Sequence, residues 1–300
     1  MSAPGRLPDF AIIGAMKAGT SSLHEQLKLR DGLFLSDPKE PNFFSDDPQY
    51  ARGLGWYRGL FADARPDQLC GESSTHYTKL PTHPRTVERM QTVLPDARFV
   101  YVMRHPVERL VSQYIHEWTQ RTVRGSIDQA VEAEERFVAY SCYHRQLEPY
   151  LEAYGPERVL LVCFERLVAQ PDAELDRICA FVGDPTPTAP RWESELGEQN
   201  VSRERLRVSP LRDALLRQPA LRALKNRLPQ GWRDAAKGLW RIRRRPALSS
   251  SVAERVEQRL DADLFELGLR VGADLSCGSW KQCASRGPLE WAAARASEAR

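Results

Sequence analysis

Apolar residues in this chain follow two rhythms. Some short runs are apolar on consecutive positions; between them lie longer stretches where apolar residues return every three or four. Residues 9–13, 98–103 and 158–164 belong to the first kind, the pattern of parallel strands covered on both faces. Leu33, Phe34 and Leu35 predict a shorter strand, and Leu69, Cys70 and Gly71 another. Helices are predicted over 20–29 (Leu23 and Leu27 on one face), 49–61, 83–94 (Val87, Met90 and Leu94 inward), 106–118, 126–135, 143–154, 171–182 and 250–268. Strands alternating with helices define an α/β class: three layers with a central parallel sheet and a helical C-terminal region. No internal repeat appears. The expected organisation is one domain over 1–300. It has an α/β core at about 8–183, a Pro-rich linker at 184–190, a basic helical lid at about 200–246, and a closing helix at about 250–268.

Composition narrows the class without changing it. The 300 residues are 42% hydrophobic and 28% charged, which excludes collagen-like, mucin-like and wholly disordered chains. No apolar run approaches the ~20 residues of a membrane helix. The run at 10–16 is too short and lacks a cleavage pattern, so no signal peptide is read and a cytoplasmic location is expected. The six cysteines contain no Cys-x-x-Cys pair, so a zinc site of that type is not expected and free thiols are. Cys277 and Cys283 are near enough in sequence to pair under oxidation. The net charge of +3 hides an asymmetry: between Arg203 and Arg245 stand 14 Lys or Arg against 3 acidic residues. A solvated helical lid is the plain reading of that segment. Contact with an anionic acceptor or a membrane surface is less favoured, and no nucleic-acid module accompanies the charge.

Two junctions carry chemistry. Gly14, Ala15, Met16, Lys17, Ala18, Gly19, Thr20, Ser21 and Ser22 lie between a buried strand and a helix. There the backbone N–H groups converge and the helix dipole is positive, so an anion is stabilised. This is a P-loop-like arrangement, but the lysine precedes the second glycine, unlike the nucleoside-triphosphate loop Gly-x-x-x-x-Gly-Lys-[Ser/Thr]. The second junction runs Met103, Arg104, His105, Pro106 and on to Ser112. Arg104 leaves the C-terminal end of a parallel strand, the edge where open α/β sheets bind ligands, and its guanidinium suits a phosphate. Pro106 fits the first helical turn, where its missing N–H has no partner to lose.

Together these motifs resemble the sulfotransferases that use 3′-phosphoadenosine-5′-phosphosulfate (PAPS), in particular the heparan-sulfate-type branch and its bacterial relatives. The likeness extends through Lys39-Glu40-Pro41-Asn42-Phe43-Phe44, Gly53-Leu54-Gly55-Trp56-Tyr57, Gly71-Glu72-Ser73-Ser74-Thr75-His76-Tyr77, and Tyr143 with Gln146 and Leu147. It covers roughly 8–183 and the terminal helix leading to Gly268 and Trp280. The resemblance implies that Lys17 steadies the bridging oxygen of the 5′-phosphosulfate, while Ala18, Gly19, Thr20, Ser21 and Ser22 cradle it. Arg104 and Ser112 would hold the 3′-phosphate, and Tyr143 would line the nucleotide side. Glu40 would be the general base, with His76 as the alternative. The acceptor would be a hydroxyl of a small molecule or glycan, and no metal is expected.

The sequence departs from that branch at three places. Ser73 stands where the branch carries a lysine, which argues against the same highly sulfated polysaccharide. Asn42 stands where it often carries a histidine. The late Lys-Gly-Arg-type loop is not intact; Asn200-Val201-Ser202-Arg203-Glu204-Arg205 is the nearest substitute, with Arg203 or Arg205 reaching the 3′-phosphate. Phe43, Phe44, Trp56 and Tyr77 serve either an acceptor pocket or the core. A nucleotide-dependent kinase with a variant phosphate loop, or a non-catalytic nucleotide-binding module, remain as alternatives.

Overall fold

Five strands pair in parallel in the order β2-β3-β1-β4-β5: β1 (Phe10–Gly14), β2 (Leu33–Leu35), β3 (Leu69–Ser73), β4 (Arg98–Met103) and β5 (Val159–Cys163). The structure, a computed structural model, describes residues 5–186, 191–193 and 245–292. Every residue of β1 is buried, and β4 is buried from Phe99 onward. Consecutive burial means that both sheet faces are covered, as the apolar runs predict. Each fully buried Ile, Val or Phe there contributes about 1.5–3 kcal/mol by leaving water.

The helices are α1 (Thr20–Lys28), α2 (Asp47–Tyr50), α3 (Gly53–Gly59), α4 (Thr86–Val93), α5 (Pro106–Gln120), α6 (Ile127–Ala133), α7 (Arg136–Ala139), α8 (Tyr143–Tyr154), α9 (Phe164–Ala169), α10 (Pro171–Val182), α11 (Ser250–Val271) and α12 (Trp280–Arg286). The helix expected at 49–61 is instead two, because Gly53 adopts a left-handed φ of 81° and the chain turns there. The helix expected at 83–94 begins only at Thr86, and the closing helix runs three residues further than expected, to Val271. Of the three residues expected inward on α4, Met90 and Leu94 are buried and Val87 is half-buried. Ser126 and Gln129 form a reciprocal capping box that starts α6.

The closing helix is amphipathic in the ordinary way: Val252, Val256, Leu260, Leu264, Leu267 and Val271 form one buried stripe, and α11 packs on α5, α7 and α8. Its Asp263 carboxylate accepts the backbone N–H groups of His144 and Arg145, both at 2.9 Å, and so caps α8 from a distance in sequence. All six cysteines are free thiols. No described helix is long and apolar enough to cross a membrane. Of the basic lid expected at 200–246, only Arg245 and Pro246 fall among the described residues.

Candidate active site

The chain leaves β1 towards β2 and β3 on one side, then returns across the sheet to β4 and β5 on the other. The crevice at the C-terminal ends of β1 and β4 is therefore a topological switch point, the usual ligand position in open α/β sheets. Both motifs singled out in the sequence arrive there. The Ala15 N–H donates to the Val102 carbonyl at 2.7 Å, so the loop after β1 is stitched to the end of β4.

The loop after β1 turns tightly. A side chain at Gly14 would place its Cβ 2.1 Å from Thr78 Oγ1 and 2.8 Å from the Tyr101 ring, so glycine is required. Gly19 has φ 90° and lies against Phe164, leaving no room for a Cβ either. Lys17 itself holds a left-handed φ of 72°. Thr20 opens α1, so Thr20, Ser21 and Ser22 form its first turn, with their N–H groups beyond intrahelical reach. Ala18 is fully buried against the core.

Arg109 holds this loop from beneath. Its guanidinium is wholly buried: Nη1 donates to the Met16 carbonyl (3.4 Å), Nε to Ser141 Oγ (2.6 Å), and Nη2 to Gln113 Oε1 (2.9 Å) and the Phe137 carbonyl (3.0 Å). Arg109 thus ties the residue before Lys17 to α5. The sequence reading passed over it, because no local pattern distinguishes a buried arginine in this helix from a solvent-facing one.

At the end of β4, Arg104 Nη2 donates to Glu108 Oε2 at 3.0 Å, and the guanidinium lies 4.8 Å over the Phe164 ring. Lys281 from α12 pairs with the other oxygen of Glu108 at 2.7 Å. Burial pushes the Glu108 carboxyl up, but Lys281 and Arg104 outweigh it and bring it down to about 2. Arg245 donates to the Glu108 carbonyl at 3.5 Å. Arg104 Nε is buried with no hydrogen-bond partner among the described residues, as fits a place built for an anion, while His105 Nε2 donates to the Cys277 carbonyl at 3.0 Å. Ser112 lies on the second turn of α5 and is nearly fully buried. Tyr143 is placed differently from the expectation that it lines the nucleotide side. It is wholly buried, its hydroxyl donating to the Arg104 carbonyl and accepting the Arg104 N–H at 3.3 Å. Its ring packs on Tyr101 and Trp280. Tyr143 therefore fixes the backbone of Arg104. Arg203 and Arg205 lie outside the described residues.

The other side of β1 presents Glu40. Its N–H donates to the Ser73 carbonyl at 2.9 Å, which hangs the loop after β2 on the end of β3. Glu40 and Asn42 both adopt left-handed backbone, φ 60° and 51°. The Glu40 carboxylate accepts from Lys39 Nζ (2.8 Å) and Thr75 Oγ1 (3.3 Å). Burial pushes its carboxyl up, but Lys39, Lys79 and His76 outweigh that and the net shift is downward, so Glu40 is ionised at neutral pH. His76 sits across Thr75 from it, with Nδ1 2.8 Å from Asp46 Oδ1.

Three groups on this side went unassigned in the sequence. Glu72 is fully buried and accepts hydroxyls from Tyr57, Ser74 (2.7 Å) and Tyr77 (2.8 Å); burial holds its carboxyl above the ordinary range. His24 on α1 shares a 2.8 Å hydrogen bond with Ser73 Oγ, and burial, with Lys39 and Lys28 nearby, brings its pKa down to about 3. Lys79 is brought down to about 8 by burial. Phe43, Phe44 and Tyr77 prove to be core, with Phe43 stacked on Tyr57 at 4.4 Å, while Trp56 is half-buried.

Strand-end loops that gather a lysine, a helix N-terminus, an arginine and a carboxylate along one edge of a parallel sheet make a candidate anion-binding site. Residues 43–188 match the family model described as the sulfotransferase family. The chain is 32% identical over 196 residues to mouse heparan sulfate glucosamine 3-O-sulfotransferase 6, covering 61% of this chain and 54% of that protein. It is 30% identical over 187 residues to mouse heparan sulfate glucosamine 3-O-sulfotransferase 3B1, covering 59% and 46%. A crystal structure of a sulfotransferase from Alicyclobacillus acidocaldarius superposes with a TM-score of 0.57 at 28% identity, covering 76% of this chain and 99% of that one. The chain is similar to the sulfotransferase family over residues 43–188. It spans about half the length of the curated relatives it matches.

Proposed function

We propose that this chain transfers a sulfuryl group from PAPS to a hydroxyl of a small molecule or glycan. One observation carries the reading. The end of β3 (where Glu40 hangs), the end of β1 (Lys17) and the end of β4 (Arg104) are consecutive along the sheet. That order matches the linear order of the reaction: acceptor, sulfur with 5′-phosphate, ribose with 3′-phosphate.

In this mechanism Ala18, Gly19, Thr20, Ser21 and Ser22 receive the 5′ end at the start of α1. Arg104 and Ser112 take the 3′-phosphate, with Arg104 exchanging its Glu108 partner for phosphate oxygens. The acceptor oxygen attacks sulfur in line as its proton passes to Glu40. The S–O bond to the 5′-phosphate breaks, and its electron pair leaves on the phosphate oxygen beside Lys17. A positive charge fixed where negative charge develops is the strongest lever such a site has. Glu40 is preferred to His76 as the base because it is ionised, while the His76 Nδ1 is engaged by Asp46. The lost lysine at Ser73 and the neighbouring neutral His24 fit an acceptor less anionic than sulfated polysaccharide.

Thermal unfolding with added nucleotides tests this directly, because a ligand that binds only the folded chain raises the melting temperature. Adenosine 3′,5′-diphosphate at ~100 times its Kd should add about 2.7 kcal/mol, a shift of several degrees. Stabilisation by ATP with Mg²⁺ and none by the diphosphate would reverse the assignment in favour of a kinase. Diphosphate binding without turnover on any hydroxyl acceptor would favour a binding module.

A further inference from the structure

Asp46, His76 and His83 meet outside the proposed reaction path. Asp46 immediately precedes α2, His76 lies in the 3₁₀ turn Thr75–Thr78, and His83 lies in the loop before α4. Asp46 Oδ1 is 2.8 Å from His76 Nδ1 and 3.6 Å from His83 Nδ1. The two imidazoles stack with centroids 4.8 Å apart and planes within 18°. One ligand atom from each of the three residues falls within 4.8 Å of the others, and all three side chains are half-buried.

We propose that Asp46, His76 and His83 form a binding site for a divalent transition-metal ion of the Zn²⁺, Co²⁺ or Ni²⁺ class. Two imidazole nitrogens converge on one carboxylate oxygen: His76 Nδ1 bonds it at 2.8 Å, while His83 Nδ1 lies 3.6 Å from it and 3.2 Å from the Ser45 carbonyl, a contact the ion would replace. An ion bound at ~2.0–2.2 Å from each ligand puts neighbouring ligand atoms ~3.3 Å apart in tetrahedral geometry. The observed 2.8 and 3.6 Å straddle that value, so side-chain shifts of a few tenths of an ångström admit the ion. Two imidazoles and one carboxylate select borderline-soft ions over Mg²⁺ or Ca²⁺. Half-burial leaves a fourth position for water.

The ligands are held as metal ligands usually are, by a second layer of hydrogen bonds. Ser45 Oγ donates to Asp46 Oδ1 at 3.1 Å, and the Asp46 N–H donates to the Asn42 carbonyl at 3.1 Å. The adjacent Asp47 is clamped by Arg85 at 2.6 Å and Arg89 at 2.5 Å. The ion would add a link among three segments already joined by hydrogen bonds, the Asp47 ion pairs and the imidazole stack: the loop carrying Glu40, the turn after β3, and the entrance to α4. It takes no part in sulfuryl transfer.

The test uses the full chain, freed of metal by chelator, with no donor or acceptor present, so its outcome is independent of the sulfotransferase reading. Titration with Co²⁺ alone should show one ion per chain and a visible absorption band that Zn²⁺ displaces. Zn²⁺ should raise the melting temperature and Mg²⁺ should not. His83→Ala and Asp46→Asn should each weaken Co²⁺ binding at least tenfold, while far-UV circular dichroism without metal stays that of the parent chain. His83→Gln supplies the same test should the alanine variant misfold. Absence of stoichiometric Co²⁺ binding, or equal binding by the His83 and Asp46 variants, overturns the proposal.

Discussion

At the ends of β1 and β4 the loops are gripped at their own main-chain atoms. Ala15 is bonded to Val102, Arg104 is gripped through both its N–H and carbonyl by Tyr143, and the Met16 carbonyl is held by Arg109. At the ends of β2 and β3 side chains do more of the holding: Glu72 with three hydroxyls, His24 with Ser73, Glu40 with Lys39 and Thr75. Backbone anchoring tolerates many side chains and keeps an invariant ligand in register. Side-chain anchoring ties geometry to residue identity, so changing an acceptor means changing several residues together. On the proposed reading the first half holds the donor and the second the acceptor, and Ser73 and Asn42, two of the three departures from the heparan-type pattern, lie in the second.

The sharpest break of this contrast is Lys17→Ala. It removes the charge beside the leaving oxygen and should lower turnover by at least ~10²–10³-fold. The melting temperature should barely move, and near-normal turnover in a sulfuryl-transfer assay would remove Lys17 from the chemistry. Next, Glu40→Gln should lower kcat by ~10²-fold or more with unchanged affinity for the diphosphate. Because the Glu40 carboxyl sits below its ordinary value, the base is lost only as pH falls through that lowered value, so the acid limb of the rate profile should lie below pH ~4.3. Unchanged turnover in Glu40→Gln would instead move the role to His76. The smallest effect is expected from Arg104→Ala: diphosphate affinity should fall ~10- to 100-fold, as for a lost charge-assisted contact, while adenosine 5′-phosphosulfate, which lacks the 3′-phosphate, binds as before. Calorimetry with both ligands checks this, and an equal loss for both would detach Arg104 from the 3′ end.

What the sequence made legible follows the same division. Lys17 and the hydroxyls after it, and Arg104 with Pro106, sit in contiguous strand-loop-helix stretches, where local pattern fixes local geometry. β1, β4 and β5 were readable because consecutive burial leaves consecutive apolar residues, whereas β3 was readable only over its first three residues, since the buried Glu72 and Ser73 are polar. Arg109, His24 and Glu72 were not, since their partners lie 93, 49 and 15 residues away and no local rhythm marks them. The Arg104 contact of Tyr143 was not legible, because a tyrosine at a helix start reads the same whether its hydroxyl faces a ligand or a buried carbonyl. The aromatic cluster of Phe43, Phe44 and Tyr77 was ambiguous for the same reason: only packing separates a pocket wall from a core.

Lys17, Glu40 and Asn42 are three of the four non-glycine residues in left-handed backbone among the described residues. Each such conformation costs an L-amino acid about 1–2 kcal/mol. Any campaign to harden this protein against heat would be drawn to these positions, where glycine relaxes the main chain at once. The gain in endurance would come with the loss of the groups assigned to catalysis, so resilience and reactivity are set against each other within a few ångströms of chain.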